Sequence, residues 1–147
     1  MAIDKNIRVV IDSNVWISGL IFGGQPEKII KHFLDGNFLV IVSAELLSEL
    51  RRKVIEKFPL FTSSLESLDA SILNDAIVVR LGSQTINISR DPDDNKVIET
   101  AVMGRCDYII SGDKDLLVIG SYKNINIVNP TDFLKIINRN YSITDKE

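Results

Sequence analysis

The chain has 147 residues, of which 45% are hydrophobic and 25% charged, with a formal net charge of −3 and a pI of about 5.2. This length and composition suit one globular domain, and the single cysteine, Cys106, excludes an internal disulfide framework. The acidic balance argues against binding nucleic acid through bulk positive charge, although a carboxylate site filled by metal ions would itself make the count negative.

A strand followed by a helix opens the chain. Residues 9–11 are a β-branched apolar run, typical of a strand buried on both faces, and residues 15–21 continue at helical spacing. Asp12 ends the strand directly, at the position where open α/β sheets bind their ligands. The ordinary alternative is that Ser13 or Asn14 caps the helix and Asp12 is only a turn residue.

The next segments alternate in the same way. Pro26 is favoured at the first position of a second helix, which Gly36 would end. Residues 38–42 predict a second buried strand, and Ser43 is placed to cap a third helix. The apolar face of this third helix contains Leu46, Leu47, Leu50 and Val54.

The middle of the chain gives weaker signals. Ser63 and Glu66 form a capping-box pattern for a helix that would run to about Val79. Residues 84–89 (QTINIS) have the pattern of a short edge strand. A further helix is predicted over 91–105, where an Asp-Pro pair marks its start.

Two strands and a closing helix are predicted towards the C-terminus. The strands are residues 107–111 and 125–128, and the helix begins with PTDFLKII. Strands that alternate with helices indicate an α/β fold with a parallel sheet covered on both faces. We expect a single domain over 1–139 and a polar tail over 140–147. No secretion signal and no bilayer-spanning apolar run is present, so we expect a cytoplasmic protein that does not bind a membrane.

Four acidic residues are expected at one edge of the predicted sheet. Asp12 and Asp113 each follow a strand, and the carboxyl ends of parallel strands share an edge. Asp94 lies in the first turn of its helix, in line with the buried face. Glu49 flanks the apolar face of its own helix and can reach the margin of the same cleft.

Each of these acids also has an ordinary explanation. Asp94 occupies the third helical position if Asp91 is the cap, where a carboxylate is favourable with the helix dipole. Asp113 can be a turn residue, and Glu49 can pair with Lys53 at i+4 on a solvated face. Their combined placement favours a site, because carboxylates that converge without basic partners repel one another. A hard divalent cation such as Mg²⁺ or Mn²⁺ would resolve that repulsion.

The chemistry that fits such a site is phosphodiester hydrolysis. Carboxylate-bound Mg²⁺ with open positions activates water without a histidine base, and the only histidine is His32, on another helix. The sequence contains no arrangement for Ser-His-Asp or Cys-His catalysis. It also has no P-loop or dinucleotide-binding motif.

At these acidic residues the sequence resembles the PIN-domain ribonuclease family, and in particular the branch known as toxins of toxin–antitoxin pairs. The resemblance covers nearly the whole chain. Its most specific part is DPDDNKVIETA followed by DYIISGDKDLL; the DSN at the end of the first strand is weaker, and serine there replaces the commoner threonine. The matching residues are Asp12, Ser13, Asn14, Glu49, Leu50, Val54, Asp94, Asp113 and Asp115.

The resemblance implies a three-layer α/β/α fold with a parallel sheet of about five strands. It implies cleavage of RNA that depends on Mg²⁺ or Mn²⁺, a small antitoxin as protein partner, and commonly a homodimer. The implied metal ligands and catalytic residues are Asp12, Glu49, Asp94 and Asp113. Ser13 and Asn14 would orient the first aspartate or the water of the metal, with Asp91 and Asp115 as second choices.

Contacts to RNA are harder to place from the sequence. Arg51 and Arg52, beside Glu49, could meet phosphates, and so could Lys114 beside Asp113. The alternative for the two arginines is an ordinary solvated helix face.

Two other functions compete with a ribonuclease. One is a different Mg²⁺-dependent α/β phosphohydrolase or a phosphoacceptor domain. The Asp-x-Asp start of one such type is absent, since Asn14 follows Ser13, and the second strand ends in Ser43 where a phosphoacceptor would need aspartate. The other is a PIN-fold module that binds RNA or protein without cleavage, which would predict a missing ligand; all four acids are present.

Overall fold

The computed structural model describes residues 6–82 and 87–145. Within these ranges the strands are β1 (Arg8–Ile11), β2 (Leu39–Ser43), β3 (Ile77–Val79), β4 (Tyr108–Ile110), β5 (Ser121–Tyr122) and β6 (Ile125–Val128). The α-helices are α1 (Ser13–Ile21), α2 (Gly24–Leu34), α3 (Ala44–Lys57), α4 (Thr62–Asp75), α5 (Pro92–Met103), α6 (Lys114–Ile119) and α7 (Pro130–Asp145). A short 3₁₀ turn, Pro59–Phe61, joins α3 to α4.

The strands form one sheet in the order β3-β2-β1-β4-β6-β5. Every neighbouring pair is parallel except β5 and β6, which form an antiparallel hairpin. The predicted five-stranded parallel sheet of an α/β fold is therefore confirmed, with β5 as an addition. The chain leaves β1 towards β2 and later returns to pair β4 on the other side of β1, so the strand order reverses between β1 and β4. The crevice at such a point is the usual ligand site of an open α/β sheet.

Two hydrophobic cores cover the two faces of the sheet. Alternate residues of β1 point to opposite cores, Val9 and Ile11 to one and Val10 to the other, because successive side chains of a strand face opposite sides. The first core lies against α1, α2, α3, α4 and α7, and the second lies against α5 and α6. This is the three-layer arrangement that the sequence predicts. No helix among the described residues combines the length and the apolar character that crossing a membrane requires.

Ser43 begins α3 as the sequence predicts. Its side chain accepts a 3.3 Å hydrogen bond from the backbone N–H of Leu46, and its hydroxyl lies 2.9 Å from that of Thr100 in α5. Thr100 donates its own proton to the carbonyl of Lys96, so Ser43 is the donor to Thr100. One buried serine thus caps α3 and fixes α5 against the end of β2.

The starts of three helices differ from the sequence prediction. Asp12 itself is the N-cap of α1, so the alternative in which Ser13 or Asn14 caps this helix is wrong. Helix α2 begins at Gly24, after Gly23 with a φ of 77°, and not at Pro26. Helix α4 begins after the 3₁₀ turn without a side-chain cap, so the capping box of Ser63 and Glu66 is also wrong.

The edge strand is displaced along the sequence. Helix α4 ends at Asp75, not near Val79, because Ile77–Val79 pair with β2 as β3. The predicted edge strand at 84–89 lies partly outside the described residues, and residues 87–89 are not in a strand. Helix α7 continues to Asp145, and the division between a domain at 1–139 and a tail stays a prediction.

Candidate active site

Asp12 and Ser111 lie side by side at the carboxyl ends of β1 and β4. The backbone N–H of Asp12 donates to the carbonyl of Ile110 at 2.9 Å, which extends the ladder between the two strands by one residue. The hydroxyl of Ser111 donates a 2.7 Å hydrogen bond to Oδ2 of Asp12. Asp12 is only 5% exposed, and desolvation raises the pKa of its carboxyl despite this hydrogen bond.

Asp113 is held at the start of α6. Its Oδ1 accepts hydrogen bonds from the backbone N–H groups of Asp115, at 2.7 Å, and Leu116, at 3.4 Å. Its own backbone N–H donates to the hydroxyl of Ser111 at 3.0 Å. The same serine therefore positions both aspartates that follow the two central strands.

Asp94 reaches the site from the first turn of α5. The N-cap of this helix is Asp91, whose Oδ1 accepts from the N–H of Asp93 at 2.9 Å, so Asp94 is the third helical residue as the sequence predicts. The hydroxyl of Ser89 donates to Oδ2 of Asp94 at 3.2 Å. Asn95 holds that serine in place, since its side-chain amide donates to the carbonyl of Ser89 and accepts from its N–H.

Three carboxylates converge at this point. Asp91, Asp94 and Asp113, which we name the aspartate triad, each place one oxygen within 4.8 Å of the other two. Burial raises the pKa of Asp94 to about 7, and the charges of Asp113 and Asp91 add to this effect. Asp12 also raises it, which places Asp12 in the same electrostatic environment.

Glu49 lies outside the triad and beside a lysine. Oε2 of Glu49 accepts a 3.0 Å hydrogen bond from the hydroxyl of Ser13, and its Oε1 lies 3.7 Å from Nζ of Lys53. Desolvation raises the pKa of this carboxyl, Lys53 lowers it, and the charges of Asp93 and Asp12 raise it further. Glu49 thus faces the site from α3, on the side of Asp12.

An open groove of about 420 Å³ extends from Glu49 between α3 and α5. Its polar walls carry Glu45, Glu49 and Arg52 from α3, and Asp93 and Lys96 from α5. Three acidic and two basic side chains therefore line this groove.

The three basic residues predicted to contact RNA differ in their environments. The guanidinium of Arg51 forms two 3.0 Å hydrogen bonds with Asp69 in α4, so its donors are committed within the fold. Arg52 lines the groove and has an exposed partner, Glu56, at 3.4 Å. Lys114 is exposed next to the triad.

The remaining predicted site residues have supporting positions. Asn14 accepts a 3.4 Å hydrogen bond from Lys53, and its N–H lies 3.5 Å from Oδ1 of Asp12. Asp115 points its carboxylate at Arg90, with an N···O distance of 3.0 Å, and lies outside the triad. Asp91, predicted as a second choice, belongs to the triad and caps α5 as well.

Sequence reasoning missed four residues that shape the site. Ser111 counted only as a spacer before Asp113, and Ser89 and Asn95 gave no recognisable pattern. For Lys53, the sequence predicts the i+4 pairing with Glu49, which the 3.7 Å contact bears out, but not the contacts with Ser13 and Asn14. The available signal for Ser111 was its position as the first polar residue after a buried strand, the same signal that identifies Asp12.

Comparison with known proteins agrees with this fold. The sequence model of the PIN domain family matches residues 8–115. A relative from Methanocaldococcus jannaschii, the uncharacterized protein MJ1680, is 33% identical over 141 residues, which cover 88% of this chain and 90% of the relative. The chain belongs to the PIN domain family.

Two solved structures share the fold. VapBC2 from Rickettsia felis, bound to a DNA fragment from their promoter, matches with a TM-score of 0.57 over 84% of this chain and 98% of the other. PAE2754 from Pyrobaculum aerophilum matches with a TM-score of 0.56 over 92% and 91%. Sequence identity is 11% in both cases, so the likeness concerns the fold.

Proposed function

We propose that this PIN-domain chain is a metal-dependent endoribonuclease that hydrolyses RNA phosphodiester bonds, and that it acts as the toxin of a toxin–antitoxin pair. The observation that carries the proposal is the aspartate triad beside Asp12, at the point where the strand order reverses. Carboxylates gathered at a ligand-binding edge of this kind are suited to a divalent cation, which can in turn bind phosphate.

The donor set fits a hard divalent cation. Among the described residues, no ion pair involves Asp12 or any member of the triad, although the charge of Lys53 lowers the pKa of Asp12. Burial raises the pKa of Asp94 to about 7, and the uncompensated charges of Asp113 and Asp91 contribute to this rise. All the donors are oxygens, which suits Mg²⁺ or Mn²⁺, whereas the only histidine, His32, pairs with Asn37 in another part of the fold.

Each side chain of the site would have a definite task in hydrolysis. A bound divalent cation supplies a water of lowered pKa and offsets charge on the phosphate. Asp12, Asp94 and Asp113 would hold the cation, with Asp91 completing the triad and Glu49 at the margin as the fourth predicted ligand. Ser111 orients Asp12 and Asp113 towards the same point.

The groove beside the site would receive the RNA strand. Arg52 and Lys96 lie on opposite walls and are placed to meet backbone phosphates, with Lys114 beyond the triad. Family membership supports nuclease chemistry, and the resemblance in the acidic motifs supports RNA as the substrate.

A protein partner follows from the same comparison. VapBC2 shares the fold, which supports an antitoxin as the partner of this chain in the cytoplasm. A homodimer is the assembly that the family resemblance suggests. Copurification of a small protein encoded next to this chain, and the mass of the purified chain by light scattering, would test these two points.

The central test is cleavage of a mixed RNA pool by the purified chain with Mg²⁺, Mn²⁺ or EDTA. Asp12→Asn and Asp94→Asn serve as site variants, and Asp35→Asn is a matched control because Asp35 is an exposed aspartate at the end of α2. Circular dichroism first establishes that all variants fold. Single-stranded DNA of the same sequence tests the choice of RNA.

We expect cleavage that requires the metal, persists in Asp35→Asn and disappears in both site variants. Metal-stimulated cleavage that persists in both folded site variants would overturn the assignment of the site. Absence of cleavage by the native protein on any RNA, with metal bound, would favour the module that binds without cutting.

A further inference from the structure

Lys53 is enclosed by oxygen atoms at the margin of the site. Its Nζ lies 3.1 Å from the hydroxyl of Ser13, 3.4 Å from Oδ1 of Asn14 and 3.7 Å from Oε1 of Glu49. The ammonium group donates hydrogen bonds to the first two oxygens and forms an ion pair with the third. The side chain is only 18% exposed, so the charge is held inside the site and not in open solvent.

The contacts of Ser13 determine which groups donate and which accept the hydrogen bonds around Lys53. Lys53 donates to the Ser13 hydroxyl, which has one proton of its own to give. That proton goes to Oε2 of Glu49, at 3.0 Å, in preference to Oδ1 of Asp12, at 3.5 Å. Glu49 is therefore tied to Ser13 and Lys53, while Asp12 stands between this group and the aspartate triad.

The oxygens around Lys53 are those that a hard cation takes in proteins. A carboxylate, a hydroxyl and an amide carbonyl are all ligands for Mg²⁺ or Mn²⁺. Nucleases with two metal ions hold them about 3.5–4 Å apart, on either side of shared ligands. Here Asp12 lies near both groups, since the charge of Lys53 lowers its pKa and that of Asp113 raises it.

We propose that the ammonium group of Lys53 occupies the position beside Asp12 and Glu49 that a second divalent ion would otherwise take, so that the site holds one divalent ion. The inference rests on the proposed metal site and makes Lys53 a positioning residue. A fixed positive charge repels a second divalent ion from the same oxygens, and Glu49 serves chiefly to hold Lys53.

The test counts bound Mn²⁺ ions by electron paramagnetic resonance, which needs neither RNA nor activity. Lys53→Gln removes the charge but keeps an amide that can bond to Ser13 and Asn14, and Lys53→Met is a second neutral variant in case Lys53→Gln does not fold. Lys53→Arg keeps the charge. Lys57→Gln is the matched control, because Lys57 is an exposed lysine one turn further along the same helix.

At saturating Mn²⁺ we expect one bound ion in the native chain, in Lys53→Arg and in Lys57→Gln. The neutral variants at position 53 should bind two ions, a twofold rise, with the spin-coupled spectrum of a close pair. Two ions in the native chain, a single ion in the folded neutral variants, the same gain in Lys57→Gln, or no binding at all would overturn the inference. If the ion counts are as expected but the protein cuts no RNA, the proposed ribonuclease activity is wrong and the inference about Lys53 stands.

Discussion

The hydroxyl of Ser111 donates a 2.7 Å hydrogen bond to Oδ2 of Asp12, across 99 residues of sequence. Ser111 is fully buried, and its oxygen also accepts a 3.0 Å hydrogen bond from the N–H of Asp113. One hydroxyl thus links the two aspartates that follow the central strands. Because its proton goes to Asp12, the hydrogen bond favours the charged form of that carboxyl.

Removal of this hydroxyl should weaken the metal site without unfolding the protein. In Ser111→Ala the pKa of Asp12 should rise further, since the carboxylate loses its strongest donor, and Asp113 loses an anchor for its backbone. Loss of a partner that orients a ligand typically lowers metal affinity by about 10–100-fold. A Mn²⁺ titration measures the change. Ser67→Ala, at an exposed position of α4, is the control, and equal affinity in the two variants would contradict this role.

The raised pKa of Asp94 should make stability depend on pH. Burial and the neighbouring charges raise this pKa from 3.8 to about 7, so between these values the folded chain keeps a proton that the unfolded chain has lost. The free energy of unfolding therefore falls as pH rises through this window. In EDTA, we expect Asp94→Asn to have a flatter pH profile than the native chain in urea unfolding, and to be the more stable of the two above pH 7.

Divalent cations should reverse this loss of stability in the native chain but not in Asp94→Asn. Binding to the folded state raises the free energy of unfolding, and it does so most where Asp94 is charged. Mn²⁺ should thus restore, at pH 7 and above, the stability that is lost as pH rises from about 4 to about 7. A constant difference between native chain and Asp94→Asn across the whole range would show that Asp94 does not titrate in this window.

Arg51 and Arg52 are neighbours in sequence with different expected roles. Arg51 bonds twice to Asp69 and joins α3 to α4, so Arg51→Ala should lower the free energy of unfolding by about 1 kcal/mol. Its RNA affinity, measured in EDTA to prevent cleavage, should stay unchanged. Arg52→Ala should leave the free energy of unfolding nearly unchanged, because the exposed pair with Glu56 contributes only about 0.3–0.5 kcal/mol. It should weaken RNA binding, because the side chain of Arg52 lines the groove. Weaker RNA binding by Arg51→Ala alone would contradict this division.

The central strands and their acids were predictable because their signals are local. Residues 9–11 are apolar on both faces, as a strand in the middle of a parallel sheet must be, and Asp12 interrupts them abruptly. Asp91 and Asp94 follow from the rules for helix starts. The common edge of the parallel strands then places Asp12 and Asp113 together without any knowledge of long-range contacts.

The edge of the sheet was not predictable in the same way. Ile77–Val79 is a β-branched apolar run, but it directly follows a helical pattern, so the sequence predicts it as the end of that helix; in the structure Ile77 and Val78 are 37% and 54% exposed. Only its pairing with β2 makes it a strand, and the sequence alone does not reveal that partner. The β5–β6 hairpin turns at Lys123 and Asn124, with φ of 48° and 67°. Asparagine there is a weak signal, since it adopts the left-handed region more readily than most residues.

The contacts of Lys53 could be predicted only in part from the sequence. The i+4 spacing predicts its contact with Glu49, since both residues lie on one helix. Its contacts with Ser13 and Asn14 depend on how α1 packs against α3, about 40 residues away in sequence. The ordinary alternative from the sequence was a solvated ion pair, whereas the structure has an enclosed charge at Lys53.

The packing of α1, which carries Ser13 and Asn14, depends on a close approach at Gly19. A Cβ there would lie 2.9 Å from the backbone carbonyl atoms of Pro26 and 2.6 Å from the end of Ile30 in α2. Ile30 can rotate away, but the backbone of Pro26 moves only if the start of α2 moves.

Alanine is intrinsically favoured in a helix by about 1 kcal/mol, whereas overpacking of this kind costs about 1–3 kcal/mol. Gly19→Ala should thus destabilise the chain by about 1 kcal/mol in urea unfolding, while Gly112→Ala, with no atom within 4 Å of its Cβ position, should leave stability nearly unchanged. A gain in stability for Gly19→Ala would mean that α2 yields readily, and that α1 is held in place by its contacts with α3.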